Sequence, residues 1–200
     1  DPFWENLSLG NGRPGWHIEC AAIALANIRN PGEKHLIDIQ GGGSDLIFPH
    51  HEMSAAQVKV LTGKEFAHAY VHSGLLGLDG EKMSKSKGNL VFVSQLLSEG
   101  VKPMVIRWAL LKRHYRNDYM WMRTEIKIAE DELIQIQNRF ADKDVPPTDP
   151  LIQSIGNHLA NDLDTPKAIQ ELVDWSKTTG TGGDKVKLRN ALDLLLGLQF

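Results

Sequence analysis

The chain has 200 residues, of which 42% are hydrophobic, 24% are charged and one is cysteine, and its formal net charge is −3. This composition predicts one or two globular domains and excludes an internal disulfide bond and a membrane span of about 18 apolar residues. The acidic balance lacks the basic excess of proteins that bind long nucleic acids. We therefore expect a cytoplasmic protein without a signal peptide and without membrane or nucleic-acid partners. Because the chain begins at Asp1 and not at Met, we expect a fragment or a processed chain.

The first half of the chain alternates between helix and strand patterns. Residues 14–29 predict a short strand entering an alanine-rich helix, because alanine is a strong helix former. Alternating patterns predict strands at residues 35–40 and 69–74, and the helix between them begins at His50. This alternation, which continues to about residue 78, predicts a parallel α/β sheet. Ligands of such sheets bind at the carboxyl ends of the strands, where we expect both the glycine-rich turn and the single cysteine.

After residue 92 the pattern becomes helical. Pro103 opens a helix of about ten residues. The helix that begins at Thr124 is longer, and its apolar residues recur at spacings of three and four: Ile126, Ala129, Leu133, Ile136 and Phe140. Two more helices begin at Pro150 and Pro166, and a last apolar helix closes the chain.

A glycine-rich segment follows the first predicted strand. The three glycines Gly41–Gly43 predict a turn in which the backbone can approach a ligand closely. Ser44 and Asp45 then offer a hydroxyl and a carboxylate. Pro49 suits the first turn of a helix, which would place two histidines at the helix N-terminus. The same residues also fit an ordinary strand–turn–helix joint with surface histidines.

Residues 80–89 form a cationic segment with three lysines and two serines, which could wrap a polyphosphate. In isolation such a segment is more often a solvated turn. Its central run, Lys-Met-Ser-Lys-Ser, resembles the signature loop of the class I aminoacyl-tRNA synthetases. The resemblance implies that Lys82 and Lys85 stabilise charge on the β- and γ-phosphates of ATP as pyrophosphate leaves. It also assigns the other residues of the run to ATP binding: Met83, Ser84 and Ser86.

Two further segments, Trp16–Cys20 and Phe48–Glu52, resemble one subfamily, that of the cysteinyl-tRNA synthetases and the cysteine:glucosaminyl-inositol ligases of mycothiol synthesis. Alone, a single cysteine is usually a small buried hydrophobe. The resemblance implies that Cys20 and His50 bind Zn²⁺, which takes the thiol of substrate cysteine as a thiolate ligand and so selects cysteine over serine. The third zinc ligand of the family is a cysteine near the start of the full-length enzyme. We therefore expect about the first half of the catalytic domain to be absent from this chain.

The resemblance also implies roles for other residues, position by position. Trp16 would contact the cysteinyl or adenylate group, with an ordinary core tryptophan as the alternative. The backbone of Leu76 would bond the adenine edge. The adenylate would be approached by the residues that end the glycine-rich segment: Gly43, Ser44 and Asp45. His17 and His51 are interpreted as structural. Three arginines could help to bind the acceptor or could be solvated helix charges, and we favour the latter: Arg107, Arg113 and Arg116.

One position separates the two branches of the subfamily. Cysteinyl-tRNA synthetases carry a glutamate zinc ligand four residues after the zinc histidine, where this chain has Ser54, a poor zinc ligand. The ligases are more similar to this chain here and in residues 71–80. The mildly acidic charge and the short helical end also suit a small amino-sugar acceptor. The resemblance spans most of residues 13–125 and continues weakly through residues 161–168.

These observations predict an α/β fold, part of a class I synthetase Rossmann-like parallel sheet followed by an all-helical region. The predicted division is residues 1–92 for the C-terminal half of the catalytic domain, 93–145 for a helical connective region and 146–200 for a helical bundle. The predicted activity is ATP- and Mg²⁺-dependent ligation of L-cysteine to the amine of glucosaminyl-inositol through cysteinyl-adenylate, by a monomer. We expect the isolated fragment to be inactive. The alternatives are a cysteinyl-tRNA synthetase fragment and a non-catalytic domain that binds nucleotide or metal.

Overall fold

The chain forms two compact units, Asp1–Leu75 and Leu76–Phe200. The computed structural model describes residues 5, 8, 10–13, 15–28, 34–78, 80–83, 86 and 88–200. The division between the units precedes the predicted boundary at residue 92, because the residues that lead into the lysine motif pack with the helical core that follows them. The predicted three-part division of the chain remains a prediction.

The first unit is built around two parallel strands. Helix α1 (Trp16–Asn27) precedes strand β1 (His35–Gly43), and helix α2 (Glu52–Thr62) connects β1 to strand β2 (Glu65–Ser73). The strands pair in parallel from His35 opposite Glu65 to Gly43 opposite Ser73. Each of the four elements contributes one buried residue to the core: Ala21, Leu36, Val58 and Phe66. The predicted parallel α/β arrangement is confirmed.

Two expectations about this unit are wrong. Gly41–Gly43 do not form a turn, because they continue β1 and pair with residues 71–73 of β2. The chain turns only afterwards, through a short 3₁₀ turn at Ser44–Leu46. Cys20 does not lie at the end of a strand, because the alanine-rich helix extends back over the four residues before it. The parallel partner strand thus lengthens β1, and the alanine-rich sequence lengthens α1, beyond what their local patterns predict.

The second unit begins with a three-stranded sheet. Strand β3 (Leu76–Leu78) lies in its centre, with β4 (Glu81–Lys82) antiparallel on one side and β5 (Tyr119–Trp121) parallel on the other. The β3–β4 hairpin leads directly into the lysine motif. Strand β5 interrupts the region that was predicted to be entirely helical. It has only three residues and finds its partner about 40 positions earlier in the chain, so no local pattern marks it.

The remainder of the second unit is helical and shares one apolar core. Its helices are α3 (Val93–Ser98), α4 (Pro103–Leu111), α5 (Thr124–Ala141), α6 (Asp149–Ala160), α7 (Thr165–Lys177) and α8 (Lys185–Leu196). The predicted apolar face of α5 is confirmed, since four of its five residues are buried and Ile126 is half-buried against the same core. In the described part of the chain, no helix combines the length and the hydropathy of a bilayer span.

Candidate functional site

The site predicted around His50 lies at the start of α2. An irregular turn, Ile47–His51, contains a cis peptide bond between Phe48 and Pro49 and places both histidines just before the helix. His50 is buried, with 7% of its surface exposed. Its ring stacks on Trp16 with 4.0 Å between ring centroids and an interplanar angle of 19°. The structure therefore brings together two residues that the sequence places 34 positions apart.

His17 is a third member of this group, although it was interpreted as structural from the sequence. Its Nδ1 atom lies 2.8 Å from Nδ1 of His50, a hydrogen bond in which one ring donates and the other accepts. Burial first, and His17 second, lower the pKa of His50 from its ordinary value. A neutral imidazole is the form that binds metal ions. The signal in the sequence was the spacing of His17 from Cys20, three residues along one helix, which places the two on one face but does not reveal the bond to His50.

Cys20 is a free, half-buried cysteine in the second turn of α1. A cysteine thiolate and a neutral imidazole are suitable ligands for Zn²⁺, so the chemistry of Cys20 and His50 fits this metal. Within the described residues, no group of three or more histidine, cysteine, aspartate or glutamate side chains could hold a metal ion. Two ligands are fewer than the three or four that zinc sites contain. The joint binding of one zinc ion by Cys20 and His50 stays a prediction.

Ser54, the residue that separates the two branches of the subfamily, is buried in α2. Its hydroxyl donates a hydrogen bond to the backbone carbonyl of His17 over 3.4 Å. The serine thus ties α2 to the first turn of α1, next to the stacked rings of Trp16 and His50. A hydroxyl that supports the backbone at this place is consistent with its being a poor zinc ligand.

His51 is buried against strand β1 and uses both nitrogen atoms of its ring. Its Nε2 atom lies 3.0 Å from the side-chain amide nitrogen (Nε2) of Gln40. Its Nδ1 atom lies 2.8 Å from Nε2 of His72. The Gln40 amide nitrogen can only donate, so His51 accepts at Nε2 and donates from Nδ1 to His72. Burial first, and then His72 and His50, lower the pKa of His51. Its structural assignment is consistent with these contacts.

The residues predicted to approach the adenylate follow the end of β1. A Cβ built on Gly43 would lie 2.6 Å from Oδ1 of Asp45 and 3.3 Å from Cδ2 of Leu75. The absence of a side chain at Gly43 therefore lets the Asp45 carboxylate approach the backbone. Ser44 opens the 3₁₀ turn that carries Asp45. The proximity of Gly43, Ser44 and Asp45 is a feature of the structure, and their role at an adenylate stays a prediction.

The residues predicted to bind ATP begin in the β3–β4 hairpin of the second unit. The Leu76 carbonyl, a part of the backbone predicted to bond adenine, accepts a hydrogen bond from the Met83 N–H over 3.3 Å. Met83 packs against the helical core, and Ser86 is exposed. The Lys82 backbone pairs with Gly77. The side chain of Lys82 and the whole of Ser84 and Lys85 lie outside the described residues, so their roles stay predictions.

The three arginines that were interpreted as solvated helix charges are all bonded. Arg107 donates from Nε to the carbonyl of Leu196 over 2.6 Å, near the end of α8. Arg113 pairs with the buried Glu125 over 3.0 Å. Arg116 pairs with the carboxylate of Asp162, in the turn between α6 and α7. All three arginines are exposed and Arg107 lies in α4, as interpreted, but Arg113 and Arg116 lie beyond the end of α4 and are therefore not helix charges.

Comparison with known proteins supports the predicted resemblance. The family described as tRNA synthetases class I (C) catalytic domain matches residues 1–131. The chain is 49% identical over 204 residues to the L-cysteine:1D-myo-inositol 2-amino-2-deoxy-alpha-D-glucopyranoside ligase of Actinosynnema mirum, covering 99% of this chain and 48% of that protein. It is 50% identical over 201 residues to the protein of the same name from Nakamurella multipartita, covering 100% and 47%. The chain thus spans about half the length of the curated relatives it matches.

Solved structures show the same type of fold. The LeuRS of Agrobacterium radiobacter K84, in a ternary complex with tRNA and LeuAMS, aligns with a TM-score of 0.56 and 16% identity, covering 80% of this chain and 25% of that one. The methionyl-tRNA synthetase of Mycobacterium tuberculosis, bound by methionyl-adenylate, aligns with a TM-score of 0.52 and 21% identity, covering 70% and 32%. Both structures share the predicted fold class, which is confirmed. From its family match and its parallel α/β unit, we conclude that the chain belongs to the class I (C) tRNA synthetase catalytic-domain family.

Proposed function

We propose that the protein to which this chain belongs is an ATP-dependent, cytoplasmic ligase that joins L-cysteine to the amine of glucosaminyl-inositol in mycothiol biosynthesis. The observation that carries this proposal is the identity of 49% to a ligase of that name over 99% of the chain. Ser54 supports it further, because a cysteinyl-tRNA synthetase carries a glutamate zinc ligand at that position. The acceptor is then a small amine and not a tRNA hydroxyl.

The reaction has two steps. The cysteine carboxylate attacks the α-phosphorus of ATP, which forms cysteinyl-adenylate and releases pyrophosphate. The acceptor amine then attacks the carbonyl carbon of this mixed anhydride, AMP leaves with the bonding electron pair, and the nitrogen loses a proton as the amide forms. Positioning of the reactants and neutralisation of phosphate charge provide most of the acceleration in the first step.

In the first unit, Cys20 and His50 would hold Zn²⁺. When bound, zinc would supply an open coordination position for the thiolate of substrate cysteine. Trp16 and His17 orient the ring of His50, one by stacking on it and the other by a hydrogen bond. Outer partners of this kind fix the tautomer and direction of a metal-binding histidine. Trp16 is also 58% exposed, which leaves surface for contact with the cysteinyl group.

In the second unit, Lys82 and Lys85 neutralise the charge that develops on the leaving pyrophosphate. A lysine ammonium is a compact charge with three donors and needs a supported backbone to be directed. The Lys82 backbone has that support, since it is the partner of Gly77 in the β3–β4 ladder. Met83, Ser84 and Ser86 complete the ATP-contacting run, in which the two serines offer hydroxyl donors.

The test uses the full-length protein with ATP, Mg²⁺ and L-cysteine. Formation of the cysteinyl amide is measured with glucosaminyl-inositol as acceptor and, in parallel, charging is measured with tRNA. The proposal predicts amide formation with the amino sugar and no charging of tRNA. Efficient charging of tRNA without amide formation would establish a cysteinyl-tRNA synthetase instead. The absence of cysteine-dependent pyrophosphate exchange would support the non-catalytic alternative.

A further inference from the structure

A cluster of polar contacts joins the turn between α6 and α7 to the segment before β5. At its centre, the Asp162 carboxylate accepts a hydrogen bond from the Tyr115 hydroxyl over 2.7 Å and two from Arg116 over 2.6 and 3.1 Å. The backbone carbonyl of Asp162 lies 3.0 Å from Nε2 of His114. The Arg116 guanidinium also lies over the Tyr115 ring, 5.2 Å from its centroid. One residue thus holds three consecutive side chains of a distant segment.

The backbone at Asp162 accounts for a glycine or a short polar residue there, but not for a carboxylate in particular. Asp162 and Leu163 have φ angles of 56° and 55°, in the left-handed region that glycine adopts most easily. The turn is held by its own backbone, through hydrogen bonds from Leu163 N–H to Leu159 and from Asp164 N–H to His158. Strained residues of this kind persist where the surroundings require them. The contacts that require the Asp162 side chain are those with the segment before β5.

That segment leads directly into the sheet that carries the lysine motif. Strand β5 begins at Tyr119 and pairs in parallel with β3, whose other edge pairs with β4. Met120, Gly77 and Lys82 therefore form one row across the three strands. The row is tightly packed, because a Cβ built on Gly77 would lie 2.7 Å from Cε of Met120 and 2.8 Å from the carbonyl oxygen of Glu81. A shift of β5 would therefore be transmitted through β3 to the backbone of Lys82.

We propose that Asp162 is a positioning residue for the hairpin that carries Lys82. It fixes residues 114–116, these fix the start of β5, and β5 fixes the register and position of the β3–β4 hairpin. The catalytic consequence rests on the proposed function, because only a phosphate-binding role of Lys82 makes its position important for rate. The mechanical part of the inference, from Asp162 to the hairpin, is independent of that function.

The key variant is Asp162→Gly, made in the full-length protein. It removes the carboxylate, but glycine suits the left-handed backbone, and this gain offsets the lost pairing, so a large loss of general stability is not expected. Asp162→Asn keeps the shape and one acceptor for Tyr115, and it provides the same comparison if the glycine variant does not fold. The matched control is Asp142→Asn, which removes the exposed pair between Arg139 and Asp142 at 2.7 Å, outside the sheet and its anchor.

Two measurements separate the parts of the inference. Amide hydrogen exchange in residues 76–83 and 119–121 reports on the sheet, and cysteine-dependent exchange of pyrophosphate into ATP reports on catalysis. For Asp162→Gly we expect a melting temperature that changes little, because relief of the left-handed backbone offsets the lost pairing of the carboxylate. We also expect sheet amides that exchange roughly tenfold faster and a kcat lower by roughly tenfold. The KM for cysteine stays unchanged, because cysteine binds through the first unit. Asp162→Asn changes the same quantities in the same direction, and the control changes none of them.

The inference is overturned if the sheet amides of both Asp162 variants exchange at the rate of the control. It is also overturned if the exchange rates of all amides in the second unit rise together and the melting temperature falls, because that result indicates a general structural role. If the unsubstituted protein shows no cysteine-dependent exchange of pyrophosphate, the proposed function fails. The amide measurement then still decides whether Asp162 positions the hairpin.

Discussion

The ring of His51 lies directly against the backbone of Gly42. A Cβ built on Gly42 would be 2.8 Å from Cε1 of His51, closer than such atoms approach in real structures. The middle glycine of the triplet is therefore required by a buried histidine of the same unit. This contact gives the triplet a structural reason that is separate from the predicted approach of a ligand to Gly43.

The contact predicts different effects for two neighbouring substitutions. Gly42→Ala should destabilise the chain by about 1–3 kcal/mol, because the added methyl group overpacks against His51. Gly41→Ala is the control, since its Cβ would meet only the Val71 carbonyl oxygen at 3.8 Å. It should be neutral or stabilising by about 0.5 kcal/mol, because glycine is the weaker residue within a strand. Urea unfolding of both variants provides the measurement, and equal losses would contradict the contact.

Gly197 ends helix α8 with a φ of +64° and lies against Arg107, whose Nη2 atom would be 2.6 Å from an added Cβ. Gly197→Ala should cost about 1–2 kcal/mol for the left-handed backbone alone, plus the displacement of Arg107 from the Leu196 carbonyl. In an Arg107→Ala background only the backbone cost should remain. A double-mutant cycle measures this difference. If the two losses of unfolding free energy simply add, Arg107 and Gly197 do not interact.

Glu132 joins Trp108 of α4 to Lys112, the residue after that helix, accepting hydrogen bonds from the Trp108 indole over 2.7 Å and from the Lys112 ammonium over 2.6 Å. Trp108 is fully buried. Glu132→Ala should cost about 1–3 kcal/mol, because it leaves the buried indole N–H without its partner. Lys112→Met removes only the ion pair and should cost less than about 1 kcal/mol. Thermal unfolding measures the stability of both variants. A larger loss of stability for Lys112→Met than for Glu132→Ala would contradict the importance of the bond to Trp108.

Asp162 predicts a dependence of stability on pH. Its hydrogen bonds with Arg116, and then with Tyr115, lower the pKa of its carboxyl to about 2 in the folded chain. The unfolded chain therefore binds the proton first as pH falls, so the contribution of this group is complete above about pH 4 and lost towards pH 2. Asp162→Asn should flatten the fall in unfolding free energy between pH 5 and pH 2. Urea unfolding at a series of pH values measures this dependence. If the unfolding free energies of Asp162→Asn and the unsubstituted protein fall equally between pH 5 and pH 2, the lowered pKa is contradicted.

The fold could be predicted where local patterns agree with tertiary packing. The strands at His35 and Tyr70 alternate, and a helix separates them, so their parallel pairing follows from the order of the elements. The face of α5 follows from spacings of three and four residues. Strand β5 could not be predicted, because its three residues acquire strand geometry only by pairing with Leu76–Leu78. The glycines of β1 likewise have low strand propensity and depend on the strand beside them.

The residues of the candidate site could be named from the sequence, but most of their contacts could not. Two of the named residues do meet, since Trp16 stacks on the ring of His50. The hydrogen bond between His17 and His50 joins two helix starts that are distant in sequence, so no spacing reveals it. The partners of the arginines could not be predicted for a similar reason, since the Leu196 carbonyl and Glu125 are brought to Arg107 and Arg113 only by helix packing.

The proposed zinc site of Cys20 and His50 is where the sulfur of substrate cysteine would bind. Full-length protein loaded with Co²⁺ in place of Zn²⁺ tests it directly, because thiolate-to-cobalt charge transfer absorbs in the near ultraviolet. We expect a stronger band when L-cysteine is added, no change with L-serine, and a weaker starting band in Cys20→Ser. A band that is identical in Cys20→Ser and unaffected by L-cysteine would contradict it.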